Sequence, residues 1–543
     1  MLYGYNGKIL HVNLTDSSWT VEEPTESWYR TYVGGSALSA YYLLKHLKPG
    51  VDPLSPQNIL VFACSVVTGA PLSGYSRYTI AAKSPLTGAF ARTEAGGYFG
   101  PELKFAGYDA IVIQGKSPEP VYLYIHDGEV EIRDATHLWG LDNWETLEGI
   151  RKESGEKLVR VASIGPAGER LIPFACVQND LEHFNGRTGM GAVMGSKNLK
   201  AVAARGRRKL EMADPEKVKE IRNWHNERIK VHPPNAGLSK VGTTGLVKGL
   251  NDTGILPTHN FRDGVFEGAD KINHEAYHQT IFDSAGTCYS CSVKCKRRVS
   301  LEDDKYPLNK NFGGAEYETL AALGSLCDVD NLPAIARGNQ LCNLSGLDSI
   351  STGAVIAFAM ECFENGILTE ADTGGKSIAF GDADAMLWLI EEIANQRGIG
   401  KTLSNGVKKA AEIIGRGSEK YAFHIKGQEL PLHEGRGKTG MAMGFALAPT
   451  GADHIETPHD VAFQGDGVSK LHAVGIFDPV KPLETNAEKV RFFVNGQKVW
   501  QLNNCYGICN FCSVPIHAMT FDRLVESIRA ITGWDTSLYD ILK

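Results

Sequence analysis

Three cysteines in Thr287-Cys288-Tyr-Ser-Cys291-Ser-Val-Lys-Cys295 set the strongest constraint on what this chain can fold into. Spacings of two and three residues let neighbouring thiolates converge on one centre without strain. Four thiolates are the normal complement of a [4Fe–4S] cluster. A structural zinc site would want its fourth ligand in a second nearby Cys or His pair, and none follows. A radical-forming cluster enzyme would carry the two spacings in reverse order. The triad therefore predicts a cluster whose fourth ligand arrives from elsewhere in the chain. Cys505, Cys509 and Cys512, in Asn504-Cys-Tyr-Gly-Ile-Cys-Asn-Phe-Cys, form the only other dense group, and spacing leaves all three open. Lys294, Lys296, Arg297 and Arg298 would offset an anionic cluster and could attract an acidic partner, the plain alternative being a solvated loop face.

Eleven cysteines, with no signal-like start and no apolar run near the ~18 residues of a spanning helix, read as a cytoplasmic chain without membrane insertion. In that reducing compartment metal or redox work outweighs disulfides. Net charge is −7, from 56 basic and 63 acidic side chains, with no basic stripe for nucleic acid. The 543 residues are too many for one ordinary core. Glycine makes up about 11% of them, against a usual ~7%, so much of the backbone must turn tightly or approach something closely.

The patterning predicts an α+β chain: a β-rich N-terminal base over 1–208, a helical domain over 209–415 and a helical C-terminal domain over 416–543. Alternating apolar runs begin at Lys8, Asn58, Tyr78, Asp109, Val121 and Val159, with few helical patterns between them. A helix follows from Pro215 to about Lys230, capped by Asp214. Helical periodicity continues from Tyr317, Leu332, Ala354 and Ala385. An internal echo links the halves: Asn343-Leu-Ser-Gly-Leu-Asp348 and Asn504-Cys-Tyr-Gly-Ile-Cys509 share the frame N-x-x-G-x-[DC]. Two such frames could grip two similar ligands or two halves of one, although Asn and Gly are also common at helix ends.

The segments Gly4-Tyr-Asn-Gly-Lys-Ile-Leu-His-Val-Asn-Leu-Thr15, Pro71-Leu-Ser-Gly-Tyr-Ser-Arg77, Gly96-Gly-Tyr-Phe-Gly-Pro-Glu-Leu-Lys-Phe-Ala-Gly-Tyr-Asp-Ala110 and Gly186-Arg-Thr-Gly-Met-Gly-Ala-Val-Met-Gly-Ser-Lys-Asn-Leu-Lys-Ala201 precede the cysteine triad. In this order they resemble the tungsten-dependent aldehyde ferredoxin oxidoreductase family over nearly the whole chain. The resemblance implies a tungsten (or molybdenum) bis-pyranopterin clasped between base and helical domains. It also implies a [4Fe–4S] cluster that passes electrons to ferredoxin or an iron–sulfur subunit, in a homo-oligomer or larger complex. It makes Cys509 the fourth ligand beside Cys288, Cys291 and Cys295, and assigns Asn343, Asp348 and Asn504 to the pterin edges. The family often has aspartate at the first position of these frames, where this chain has asparagine.

Phosphates on such a cofactor need donors: Arg77 and Arg187 through their guanidiniums, and Gly96, Gly97, Gly189 and Gly191 through backbone N–H groups. A Mg²⁺ between the two phosphates suits its preference for oxygen ligands. The G-x4-G-K-[ST] frame of a nucleotide loop fails here in spacing and order. For catalysis the resemblance points to Glu316 and Glu318, in a shared Glu-Tyr-Glu stretch, and to His454 after a glycine-rich turn. It leaves open which glutamate faces the metal. His259 is a specificity candidate, and Cys327 reads as a buried inert thiol. The expected reaction is oxidation of an aldehyde to a carboxylate. The alternatives are the catalytic subunit of an aromatic acyl-CoA reductase with the same cofactors, and a non-catalytic electron carrier with an empty cleft.

Overall fold

The computed structural model describes residues 2–543, and its first 205 residues build two six-stranded sheets packed face to face. The strands are β1 (Ile9–Asn13), β2 (Ser18–Glu22), β3 (Leu60–Ala63), β4 (Tyr78–Lys83), β5 (Phe90–Ala95), β6 (Ala110–Gln114), β7 (Val121–His126), β8 (Glu129–Asp134), β9 (Arg160–Ser163), β10 (Val177–Asn179), β11 (His183–Asn185) and β12 (Leu199–Arg205). The first sheet runs β2-β1-β6-β3-β4-β5 and the second β11-β10-β9-β12-β7-β8. The β1–β6 and β7–β12 pairs are parallel.

Period-two alternation explains the layering. Leu10, Val12, Phe62, Ile111 and Ile113 point into the core between the sheets, which Leu123, Ile125 and Val202 complete from the other side. Their neighbours Ile9, Val61, Ala63 and Val112 point the opposite way, onto the helix Gly35–His46. The second sheet buries Tyr122, Val161 and Ala203 against the helix Asn143–Ser154 in the same manner. The sequence reading underestimated helix in this base. Glu26–Tyr32, Gly35–His46, Phe99–Ala106, Asn143–Ser154 and Met190–Ser196 are all helical. Gly35–His46 has Gly35, Ser36 and Ser39 on its buried face and Met190–Ser196 is buried all round, so neither shows the one-sided apolar stripe that flags a helix.

A buried ion pair ties the N-terminus to this base. Lys104 Nζ lies 2.6 Å from Asp109 Oδ1 and donates to the carbonyls of Gly4 and Ser65. Asp109 also accepts from the N–H groups of Asn6 and Gly7 and from Tyr29 Oη.

Beyond the base the chain is helical. Tyr317–Leu323, Leu332–Ser345, Ser349–Glu364 and Ala383–Asn395 share one large apolar core. Ser349–Glu364 starts five residues before the apolar run that announced it, because Asp348 caps it by accepting from Ile350 N at 2.9 Å. The helix Pro215–Val231 is capped by Asp214, yet its Val218 and Ile221 pack with the C-terminal residues Phe492, Trp500, Leu524 and Ile528. Cores and chain order therefore do not coincide here. Among the described residues no helix is long and apolar enough to cross a membrane.

Candidate functional site

The turn Ser73-Gly74 brings the two distant cysteine segments to one place. Ser73 Oγ meets Ser292 Oγ at 3.0 Å and accepts from Ser292 N at 3.0 Å, which fastens the triad loop. Gly74 O accepts from Cys509 N at 2.9 Å, which fastens the C-terminal segment. Gly74 has φ +92°, and a Cβ there would sit 2.5 Å from Cys512 Cβ, so only glycine fits. The result is a cavity of 640 Å³ walled by Cys288, Cys291, Cys295, Cys509 and Cys512. Cys505 is not among its lining residues; its thiol lies by Arg92 and Ser36. The three-way ambiguity of the sequence is thus reduced to Cys509 and Cys512.

The walls of this cavity suit an anion. Arg77 and Lys296 line it, and the buried Nε of Arg77 has no hydrogen-bond partner. A hydrogen bond from Cys512, then the guanidinium of Arg77, pull the Cys509 thiol down to about 5. Burial instead pushes Cys288 up to about 12, a cost that binding to iron as thiolate would relieve. Five sulfurs, an orphaned guanidinium N–H and this volume fit a [4Fe–4S] cluster and leave one thiol over. His183, which the sequence reading missed, sets Nε2 3.3 Å from Cys288 Sγ, and Gly97 packs on its ring. Gly96 is also tight: a Cβ there would come within 2.9 Å of Cys288 Sγ.

The basic run after the triad mostly turns inward. Lys296 pairs with Glu316, Arg298 pairs with Glu182, and the buried Arg297 donates to the carbonyls of Leu238 and Ser239. Lys294 is exposed and the Arg298 side chain is partly so, which leaves two of the four charges at the surface.

A second cavity, 670 Å³, shares Phe184, Lys296 and Glu316 with the first. Gly186, Arg187, Glu318, Asn343 and Asp348 line it. Arg187 Nε lies 3.1 Å from Asp348 Oδ2, and its other nitrogens donate to the carbonyls of Ala452 and Glu429. Gly189 and Gly191 line neither cavity. A Cβ on them would meet the backbone of Pro173 or Cys176, and Gly191 N already donates to Ala175 O at 2.9 Å. That corrects the expectation of a free Gly191 N–H: this glycine lets the helix Met190–Ser196 pack on the Ala175-Cys176 backbone just before β10. Asn504 also lies outside both cavities, against Arg92 at 2.9 and 3.0 Å. Arg92 itself is buried with Glu456 at 2.7 Å and Gln501 at 3.3 Å.

The two candidate glutamates separate cleanly. Glu316 sits between the cavities, tied to Lys296. Glu318, one helical step on, points to a group of histidines. Its Oε2 accepts from Leu432 N at 2.9 Å. Its Oε1 lies 3.2 Å from His433 Nε2 and 3.9 Å from His454 Nε2, at angles too poor for a hydrogen bond, and is left without a partner. His459 stacks edge-on against His433, with ring centroids 4.5 Å apart. Burial holds His433 and His459 well below the usual imidazole range, so both are neutral rings.

Glu318, His433 and His454 bring three ligand-type atoms within 4.8 Å of one another. Lys438 Nζ, however, stands 3.2 Å from His433 Nδ1. As an ammonium it donates there, which leaves the His433 proton on Nε2, facing Glu318. A metal-bound imidazole has the opposite arrangement, its outer nitrogen donating.

His259 is not brought to either cavity; Asp263 at 2.8 Å and Asp328 at 3.2 Å hold it. The specificity role expected for it has no support in this position. Cys327 is fully buried with its thiol toward carbonyls, as an inert thiol would be.

A sulfur-lined cavity shares Phe184, Lys296 and Glu316 with a second cavity, whose wall includes Glu318, the carboxylate beside the histidine group; this arrangement suits a redox enzyme. Family models agree: residues 9–206 match the aldehyde ferredoxin oxidoreductase N-terminal domain and residues 220–543 match its domains 2 and 3. The tungsten-containing aldehyde ferredoxin oxidoreductase of Pyrococcus abyssi is 39% identical over all of this chain and 87% of its own length. The aliphatic sulfonate oxidoreductase WOR-like subunit of Pyrococcus furiosus is 33% identical over 98% of this chain and 83% of its own length. The active-site complex of a benzoyl coenzyme A reductase, solved with 1,5-dienoyl-CoA, superposes with TM-score 0.83. It is 27% identical, covering 100% of this chain and 87% of the solved one. This chain belongs to the aldehyde ferredoxin oxidoreductase family.

Proposed function

We propose that the protein oxidises aldehydes to carboxylates in the cytoplasm. Electrons would leave a tungsten (or molybdenum) bis-pyranopterin through a [4Fe–4S] cluster to ferredoxin. The observation that carries this reading is the adjacency of the two cavities, which share Phe184, Glu316 and Lys296 as a common wall. It puts a one-electron relay beside a proton-handling pocket, and aldehyde oxidation by water releases two electrons together with protons.

The pterin-bound metal would supply two-electron redox chemistry in the larger cavity. Cys288, Cys291, Cys295 and Cys509 would hold the cluster. Arg77 and Arg187 would neutralise phosphate charge, with Mg²⁺ bridging the two phosphates, and Asn343 and Asp348 would meet pterin edges. Asp348 retains only part of its bonding capacity for this, since Ile350 N, Ser351 Oγ and Arg187 already engage it. Glu318 Oε1 is the proton acceptor that this chain contributes, with His454 and His433 at its side. Glu316 orients Lys296 at the cluster side and stays out of proton transfer.

The superposition on the benzoyl coenzyme A reductase complex supports a second reading, the catalytic subunit of an acyl-CoA reductase fed by an iron–sulfur subunit. Anaerobically purified enzyme assayed with viologen dyes against aldehydes and against aryl-CoA esters separates the two. Turnover of aldehydes is the expected result. Turnover of aryl-CoA alone would sink the first reading in favour of the second, and protein with iron but no tungsten, molybdenum or phosphorus would sink both.

A further inference from the structure

We propose that Cys512 is a reserve ligand for the iron–sulfur cluster, able to replace Cys509 on the same iron. This rests on the reading that the cavity holds a cluster. A cubane uses four thiolates, and five cysteines line the cavity. Cys512 is one of only two there that come from the C-terminal segment, and it sits one tight turn beyond Cys509, with Cys512 N donating to Cys509 O at 2.9 Å. Its Sγ lies 3.7 Å from Cys291 Sγ, in contact with a triad sulfur.

Packing shows that the site is shaped around both thiols. Gly74 leaves no room for a side chain because Cys512 Cβ and Sγ and Cys509 Cβ would lie 2.5, 3.1 and 3.4 Å from one. Independently, Arg77 and Lys296 line the same cavity, and the buried Arg77 Nε has no hydrogen-bond partner, which suits an anionic occupant on this side. The exchange itself is a ligand substitution with no change in electron count. The iron–sulfur bond to Cys509 breaks as one to Cys512 forms, and the proton of the Cys512 thiol passes to the departing Cys509 thiolate.

The test is iron content and the EPR spectrum of the dithionite-reduced cluster in anaerobically purified wild type, C509A, C512A and the double variant. In the wild type and C512A, about four irons per chain and one shared spectrum are expected. C509A keeps about four irons with altered g-values, and the double variant loses the fourth iron. Loss of that iron in C509A as complete as in the double variant overturns the proposal, as does its loss in C512A alone or its retention in the double variant. If C509A does not fold by circular dichroism, Cys509→Ser replaces it, and dependence of its fourth iron on Cys512 is read the same way. Absence of any cluster signal in the wild type would overturn the cluster reading itself, and so is distinguishable from failure of the reserve ligand.

Discussion

Replacing Glu318 by glutamine tests the division of labour between the two glutamates. The side chain is isosteric, and its oxygen can still accept from Leu432 N at 2.9 Å. That places the new NH₂ where Oε1 now stands, 3.2 Å from His433 Nε2 and 3.9 Å from His454 Nε2. The unpartnered carboxylate oxygen is thereby lost, while the residues that wall the cysteine cavity are untouched. A positioned general base is worth roughly 10²–10⁴ in rate. The neighbouring His433 and His454 rings can take up part of the proton traffic, so the lower half of that range applies. E318Q should lower kcat about 10²–10³-fold, or about 3–4 kcal/mol at ~1.36 kcal/mol per decade, with KM changed little. The assay is anaerobic viologen reduction with saturating aldehyde, normalised to metal content, with the EPR spectrum of the reduced cluster as a control. E316Q should behave differently: it leaves Lys296 without its anionic partner at the cavity junction and should change the cluster spectrum. If E318Q keeps activity within two-fold while E316Q abolishes turnover with an unchanged cluster, the assignment of the proton acceptor is refuted.

D109A strands the buried Lys104 ammonium and should cost about 3–5 kcal/mol of stability, seen as a lower denaturant midpoint; an unchanged midpoint would show that the network does not anchor the N-terminus. G74A should reduce iron per chain, because the new methyl collides with Cys512 and the φ of +92° disfavours alanine; full iron occupancy would contradict the tight turn. Burial lowers Lys438 to about 8, whereas the unfolded chain holds that proton to about 10.4. Between those values the unfolded state binds more protons, so this group's burial penalty is full below about pH 8 and shrinks as pH rises toward 10. K438M should therefore gain stability over wild type at pH 7 and lose that advantage by pH 10, in paired thermal melts; a pH-independent difference would sink the idea.

What was readable in the chain and what was not follows the range of the interactions. Strands β1, β4, β6 and β7 lie where alternation put them, since period two records burial on the two faces of one sheet. The Gly35–His46 helix escaped because its one buried face carries Gly35, Ser36 and Ser39 beside Leu38, Tyr42 and Leu43, and small or polar residues on that face erase the apolar stripe. The cysteine triad announced a metal centre because its ligands are local in sequence. Its fourth partner was not local, and only the Ser73-Gly74 turn, some 435 residues from Cys509, reduces three candidates to two. The catalytic pocket repeats the lesson more sharply. Glu318 and His454 came from resemblance, while His433, His459 and Lys438 carry no motif spacing at all. Their chemistry arises because Leu432 N fixes one oxygen of Glu318 and thereby presents the other to rings from two further loops. A backbone amide, invisible in any residue pattern, is what turns a helix-start carboxylate into an acceptor without a partner. The same logic explains why Gly191 misled: a glycine records close approach but not by what, and here the approaching group is the protein's own backbone at Ala175-Cys176.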